Sequence, residues 1–241
     1  MKAIGIIPAR LDSKRLASKA LRDILGRPLV QYVIERARGA RSLTAIVLAT
    51  SSRPVDDALA DCAPRLGVDV FRGSAHNVAE RCASCARQHG ADFFVRLNAD
   101  SPFPDPSLIE EGLRQVAGAA PADLVTNLPG RTFPYGISVE VVNVATLLRI
   151  LPTLSGEEAE HVTQRFYGQP DAFAIRRLVS PKPELQGARL VVDTEDDLSA
   201  FRALVRSLGP RVMEARFDEV AALALRQGAP TARPQDSPEP R

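Results

Sequence analysis

Short runs of consecutive apolar residues alternate along this chain with longer stretches whose apolar positions recur every three or four residues. The short runs, at residues 3–7, 44–49, 68–71, 92–97 and 123–126, predict strands. The longer stretches, at 29–40, 55–66, 78–89 and 106–116, predict amphipathic helices. Strands apolar on both faces, alternating with helices, predict an α/β fold with a mostly parallel sheet covered on both sides. Such sheets bind ligands at the carboxyl ends of their strands. That rule singles out residues 8–19, 50–53, 72–74 and 98–102. After about residue 127 the rhythm changes. Ile137, Val139 and Val141 alternate with Ser138, Glu140 and Val142, which predicts an exposed or half-buried strand rather than another parallel one. Helices are expected at 144–151 and 157–168, then a strand at 188–192. A helix starting near Thr194 follows, where the spacing to Asp197 resembles a capping box. From Ala229 the chain holds four prolines within thirteen residues. We read 229–241 as a disordered tail and 1–228 as one domain.

Composition narrows the function classes. At 241 residues, 45% of them hydrophobic, the chain is long enough for one substantial core. A net charge of +2 supplies no general attraction to nucleic acid or an anionic membrane, so phosphate recognition has to be local. No apolar run reaches the roughly 18 residues of a membrane span. The first residues enter a strand pattern rather than a secretory signal, and a cytoplasmic protein is expected. Cys62 stands alone. Cys82 and Cys85 have the spacing of half a zinc site but no matching second pair, and they share a helix face, which favours packing over metal binding.

Candidate chemistry gathers after the strands. Pro8, Ala9 and Arg10 close the first strand, and the next residues supply Ser13, Lys14, Arg15 and Lys19. Two readings are open: a solvated basic loop, or a polyphosphate cradle in which guanidinium groups bind phosphate oxygens and lysine adds a point charge. No glycine lies between Gly5 and Gly26, so neither the glycine-rich phosphate loop nor the dinucleotide fingerprint is present. Asp100 follows the fourth strand before Ser101-Pro102, where a carboxylate either shapes a turn or meets a ligand. Asp193 stands similarly before the Thr194 cap.

Ile7-Pro8-Ala9-Arg10, Ser13, Arg15-Leu16, Lys19 and Leu25-Gly26-Arg27-Pro28-Leu29 together resemble the opening of the cytidylyltransferase superfamily, which includes the synthetases of CMP-sialic acid and CMP-Kdo. The resemblance is nearest to the branch named after spore-coat polysaccharide biosynthesis protein F. It continues in order through Val95-Arg96-Leu97-Asn98-Ala99-Asp100-Ser101-Pro102, Glu160-His161-Val162-Thr163 and Val192-Asp193-Thr194, covering about residues 3–205. It implies a single Rossmann-like three-layer sandwich with a small excursion that pairs two subunits as a homodimer. The implied reaction is attack of an acceptor oxygen on the α-phosphate of CTP, with pyrophosphate leaving. Carried over, Arg10, Ser13, Arg15 and Lys19 hold the triphosphate and stabilise the leaving charge. Asp100 and Asp193 match the carboxylate pair that binds Mg²⁺, which is satisfied by one or two carboxylates plus phosphate and water. Asn98 and Ala99 belong to the nucleotide site. Thr50, Ser51, Arg72 and Arg81 fall near the expected base pocket, although loop polarity explains Thr50 and Arg72 equally well. Glu80 replaces the aspartate that often precedes Arg81 in the family.

The acceptor side departs most from the pattern. Branch members usually carry Asp at the position of Ser138 and often at that of Tyr135. Ser138 and Glu140 are expected to share a strand face toward the pocket. Asn127, Arg131 and His161 are further acceptor candidates, with a structural histidine as the alternative at His161. Fewer carboxylates suggest an anionic or less hydroxylated acceptor. Ala17 and Ser18 replace the usual Pro-Gly. A glycosyltransferase and a non-catalytic nucleotide-binding homologue are the competing classes. The first expects an Asp-x-Asp motif where only Asp100 stands.

Overall fold

The computed structural model describes residues 1–12, 16–118 and 120–232. β1 (Ala3–Pro8) sends Ala3 and Ile7 to one side of the sheet and Ile4 and Ile6 to the other, all buried. A two-stranded ribbon, β2 (Asp23–Ile24) and β3 (Arg27–Pro28), leads into α1 (Leu29–Ala37). β4 (Leu43–Ser51), α2 (Asp57–Arg65), β5 (Asp69–Gly73), α3 (Val78–Gln88), β6 (Phe93–Arg96) and α4 (Pro106–Val116) then alternate as the apolar periodicity predicts. Asp105 starts α4 by accepting from the amides of Ser107 and Leu108 at 2.9 and 3.4 Å. β7 (Leu124–Thr126), β8 (Glu140–Asn143), α5 (Val144–Ile150), α6 (Glu157–Glu160), α7 (Gln164–Gly168) and β9 (Ile175–Arg177) follow. α8 (Glu195–Leu208) and α9 (Phe217–Arg226) end the sequence of elements.

The sheet runs β5-β4-β1-β6-β8-β7-β9. β8 pairs antiparallel with β6 and β7, and the other pairings are parallel. One apolar cluster packs α1, α4, α8 and α9 on one face; a second packs α3 and α5 on the other. This is the expected three-layer α/β sandwich. Among the described residues, no helix is long and apolar enough to cross a membrane. All three cysteines are buried and unpaired, and burial pushes the Cys82 and Cys85 thiols up to about 11 and about 12.

Five expectations need correction. β8 is an interior strand rather than an exposed one: Glu140, Val141 and Val142 are all buried. Its polar position misleads because Glu140 is neutralised inside the protein by Arg96 at 2.7 Å. Ser138 precedes the strand, so the two-residue period does not link it to Glu140. Residues 188–192 form an extended segment with isolated bridges, Arg189 to Tyr135 and Ala188 to Thr231, because single residues rather than a continuous strand flank it. The helix expected at 157–168 is two short ones, interrupted where His161 adopts an extended backbone. Residues 229–232 are held rather than tail-like: Ala229 packs on the core and the Ala232 amide donates to the Gly187 carbonyl at 3.0 Å. Residues 233–241 lie outside the described residues.

Candidate active site

β1 and β6 are neighbours and parallel, so the segments leaving their carboxyl ends meet. They open into a cavity of ≈ 520 Å³. Pro8, Ala9 and Arg10 line it after β1, and Asn98, Ala99 and Asp100 after β6. Lys19 closes the floor, Val78 and Arg81 of α3 form one wall, and Glu160 and His161 at the end of α6 form another.

Lys19 organises the floor. Its Nζ donates to Asp100 Oδ2 at 2.5 Å and to Asp193 Oδ1 at 2.9 Å, so carboxylates 93 positions apart in the chain converge on one point. Main-chain bonding brings them together: the Val192 amide donates to the Asp100 carbonyl at 2.8 Å. Burial works to lower the Lys19 pKa, but Asp100 and Asp193 outweigh it and the net shift is upward from 10.5. The Thr194 capping box of α8 holds the segment that carries Asp193. Asp193 is itself buried and meets the cavity through Lys19.

Arg10 reaches the Ala75 carbonyl with Nη1 and Glu160 Oε1 with Nη2, the latter at 3.1 Å. The loop that bears Arg10 is anchored by Asp56, which is fully buried and accepts from the Leu11 amide at 2.7 Å and from the Ser51 hydroxyl. Ser13 and Arg15 lie outside the described residues. Arg81 is buried, donates from Nη1 to the Ser74 carbonyl at 2.5 Å, and its Nε has no partner among the described residues. Burial lowers its pKa.

Other candidates sit away from the cavity wall. Arg72 donates to the carbonyls of Ser51 and Arg53 at 3.0 and 2.9 Å and pairs with Asp57, because the β4–β5 register puts it beside that loop. Ser51 is buried against Asp56, and the buried Thr50 hydroxyl has no partner among the described residues. Asn127 pins the segment before β8: its amide donates to the Ile137 carbonyl at 2.8 Å and accepts from the Val139 amide at 2.9 Å. Ser138 is half-buried. Arg131 lies over the Tyr135 ring, 5.1 Å from its centre. Glu140 turns to Arg96, to the Tyr167 hydroxyl at 2.7 Å and to the Thr163 hydroxyl. Burial and the Glu140 charge raise the Tyr167 pKa well above 10.0.

A cytidylyltransferase family model matches residues 4–181. The chain belongs to the cytidylyltransferase family. It is 29% identical over 238 residues to the spore coat polysaccharide biosynthesis protein SpsF of Bacillus subtilis, covering 96% of this chain and 98% of that one. It is 35% identical over 150 residues to a 3-deoxy-manno-octulosonate cytidylyltransferase of Geobacter sulfurreducens, covering 61% of this chain and 58% of the relative. The solved structure of a cytidylyltransferase from Leptospira borgpetersenii superposes with a TM-score of 0.88 at 22% identity, over 95% of each chain, which shows a common fold.

In this cytidylyltransferase Asp100 and Asp193 are the oxygen donors at the floor that could hold a divalent cation. Asp100 and Asp193 already meet on one ammonium, and two carboxylates completed by phosphate and water suit magnesium. Among the described residues, no group of three or more His, Cys, Asp or Glu side chains is arranged to hold a metal. The sequence reading overlooked Arg96, Asp12 and Glu160 at the cavity wall, and Arg189 behind Asp193. Arg96 and Glu160 both stand inside matched motifs, so a strand-end arginine and a carboxylate beside His161 were available signals.

Proposed function

We propose that this chain transfers CMP from CTP to a small acidic acceptor, a sugar acid or a close relative of one, and releases pyrophosphate. Convergence of Asp100 and Asp193 on Lys19, in the cavity that Arg10 lines, carries this reading. The acceptor oxygen forms a bond to the α-phosphorus as the bond to the bridging oxygen breaks, and the electron pair leaves with pyrophosphate. Arg10 and Lys19 supply fixed positive charge to the phosphates, joined through the family resemblance by Ser13 and Arg15. Asp100 and Asp193 would hold magnesium, which when bound neutralises phosphate charge and orients the α-phosphate for in-line attack.

The cavity wall has a small excess of cations over carboxylates. Among the described residues it carries Arg10, Lys19, Arg81 and Arg96 against Asp12, Asp100 and Glu160. Each of those carboxylates is paired with a cation, and Glu140 is bound to Arg96. Arg96 is itself engaged by Glu140, which leaves Arg81, bound to the Ser74 carbonyl, as the wall cation with no carboxylate partner among the described residues. A nucleotide-sugar-dependent glycosyltransferase fits less well, because Asn98 occupies the first position of the Asp-x-Asp motif it would need. Product analysis by mass spectrometry, with CTP and a panel of sugar acids, phosphonates, neutral sugars and amino sugars, tests the acceptor class. We expect CMP conjugates of the acids. A cationic amino sugar as the best acceptor would contradict it.

A further inference from the structure

Asp193 is gripped from two sides. Lys19 takes Oδ1 at 2.9 Å, and Arg189 reaches Oδ2 with Nη2 at 3.3 Å. Arg189 is only 4% exposed and forks onto Asp197, Nε to Oδ1 at 2.9 Å and Nη2 to Oδ2 at 3.2 Å. Asp197 Oδ2 also accepts from the backbone amides of Asp193 and Thr194, each at 3.0 Å. The Arg189–Asp197 pair thus fixes both the main chain and the side chain of Asp193. A planar guanidinium suits this task, since its donors leave in fixed directions.

Arg189 is in turn held from the loop before β8. Its Cζ lies over the Tyr135 ring, 5.1 Å from the centre, and that ring also carries Arg131 at 5.1 Å. Tyr135 is tied to the same segment by its backbone: its amide donates to the Ala188 carbonyl at 3.0 Å, and its carbonyl accepts from the Leu190 amide at 2.7 Å. A buried pair that served the fold alone would be complete with Asp197. The contact to Asp193 and the stack on Tyr135 connect it to the floor of the cavity.

We infer that Arg189 is a positioning residue for Asp193, setting the direction of that carboxylate from behind, and that Tyr135 locks Arg189 and so couples the loop before β8 to the nucleotide site. This rests on the reading of Asp193 as a carboxylate that meets a divalent cation together with CTP.

The test is Mn²⁺ binding in the presence of CTP, followed by electron paramagnetic resonance, with circular dichroism to confirm the fold. Tyr135→Leu removes the stack and should weaken Mn²⁺ binding by roughly tenfold, the low end for a partner that orients a ligand. Tyr135→Phe retains the ring and should stay within about threefold of wild type. Arg189→Lys keeps the charge, loses the fork and should match Tyr135→Leu, which keeps the test decisive if either variant fails to fold. In an Asp193→Asn background, Tyr135→Leu should cause no further loss, because its effect passes through that carboxylate. Unchanged binding in Tyr135→Leu, or an equal loss in the Asp193→Asn background, would overturn the inference. So would wild type binding no better than Asp193→Asn. Failure of cytidylyl transfer to every acceptor would sink the proposed reaction while leaving this coupling to be decided by binding.

Discussion

Asp197 illustrates how a single carboxylate keeps its charge in the interior. Its side chain is 1% exposed, and burial alone would raise its pKa; Arg189 and the amides at the start of α8 reverse this, so the net shift is below 3.8. The sign for stability follows. A depressed folded pKa contributes stability that is fully present above the unfolded value of 3.8, and the contribution is lost as pH falls through the lower folded value. Asp197→Asn should therefore cost about 1–3 kcal/mol near pH 7, the usual range for a charge-assisted bond. Its deficit against wild type should shrink below about pH 4. Melting temperatures of both proteins across pH 3–7 check this, and a deficit that grew on acidification would refute it. At this scale the sequence was informative where chemistry demanded a residue type at a strand end: Lys19, Asp100 and Asp193 do meet. It was silent on Arg189 and on the partners of Ser51 and Arg72, whose bonds depend on which strand lies alongside.

Elements were legible in proportion to the regularity of their neighbours. The parallel strands and α1–α4 follow directly from apolar periodicity, and α4 begins and ends where its cap and its spacing place it. β8 was misjudged because Glu140 reads as solvent-facing until Arg96 is known to lie on the adjacent strand. α9 was overlooked although Phe217, Val220, Ala221 and Ala224 recur at helical spacing. The segment at 188–192 lacks a ladder, and what holds it is a close approach. Gly136 has φ +100° and a Cβ there would lie 2.5 Å from the Leu190 carbonyl oxygen. Gly136→Ala combines an unfavourable backbone with a steric clash, each about 1–3 kcal/mol, and should destabilise the protein by at least about 2 kcal/mol. Urea denaturation measures this; an unchanged midpoint would show that the two segments are not in contact.

For the molecule as a whole, the parallel order β5-β4-β1-β6 brings the loops that bear Arg10 and Asp100 to one edge, as an α/β alternation leads one to expect. The C-terminal part completes the site from a distance. Asp105 caps α4 and also accepts from the Phe217 amide at 2.8 Å, while the buried Arg36 donates to the carbonyls of Pro104, Val212 and Ala215. Burial lowers the Arg36 pKa to about 10. The bonds to Phe217, Val212 and Ala215 join segments more than a hundred residues apart, which no local pattern encodes. On the proposed reading this assembly couples CTP to an acceptor with loss of pyrophosphate. It is tested most directly by measuring pyrophosphate release with each of ATP, GTP, UTP and CTP, Mg²⁺ and a sugar-acid panel, for wild type and Asp100→Asn. We expect release that requires CTP and an acceptor, and that falls more than about 100-fold in Asp100→Asn while its melting temperature is retained, since even partners behind a ligand are worth about 10–100-fold. Equal release from UTP, or near-normal release from Asp100→Asn, would contradict it.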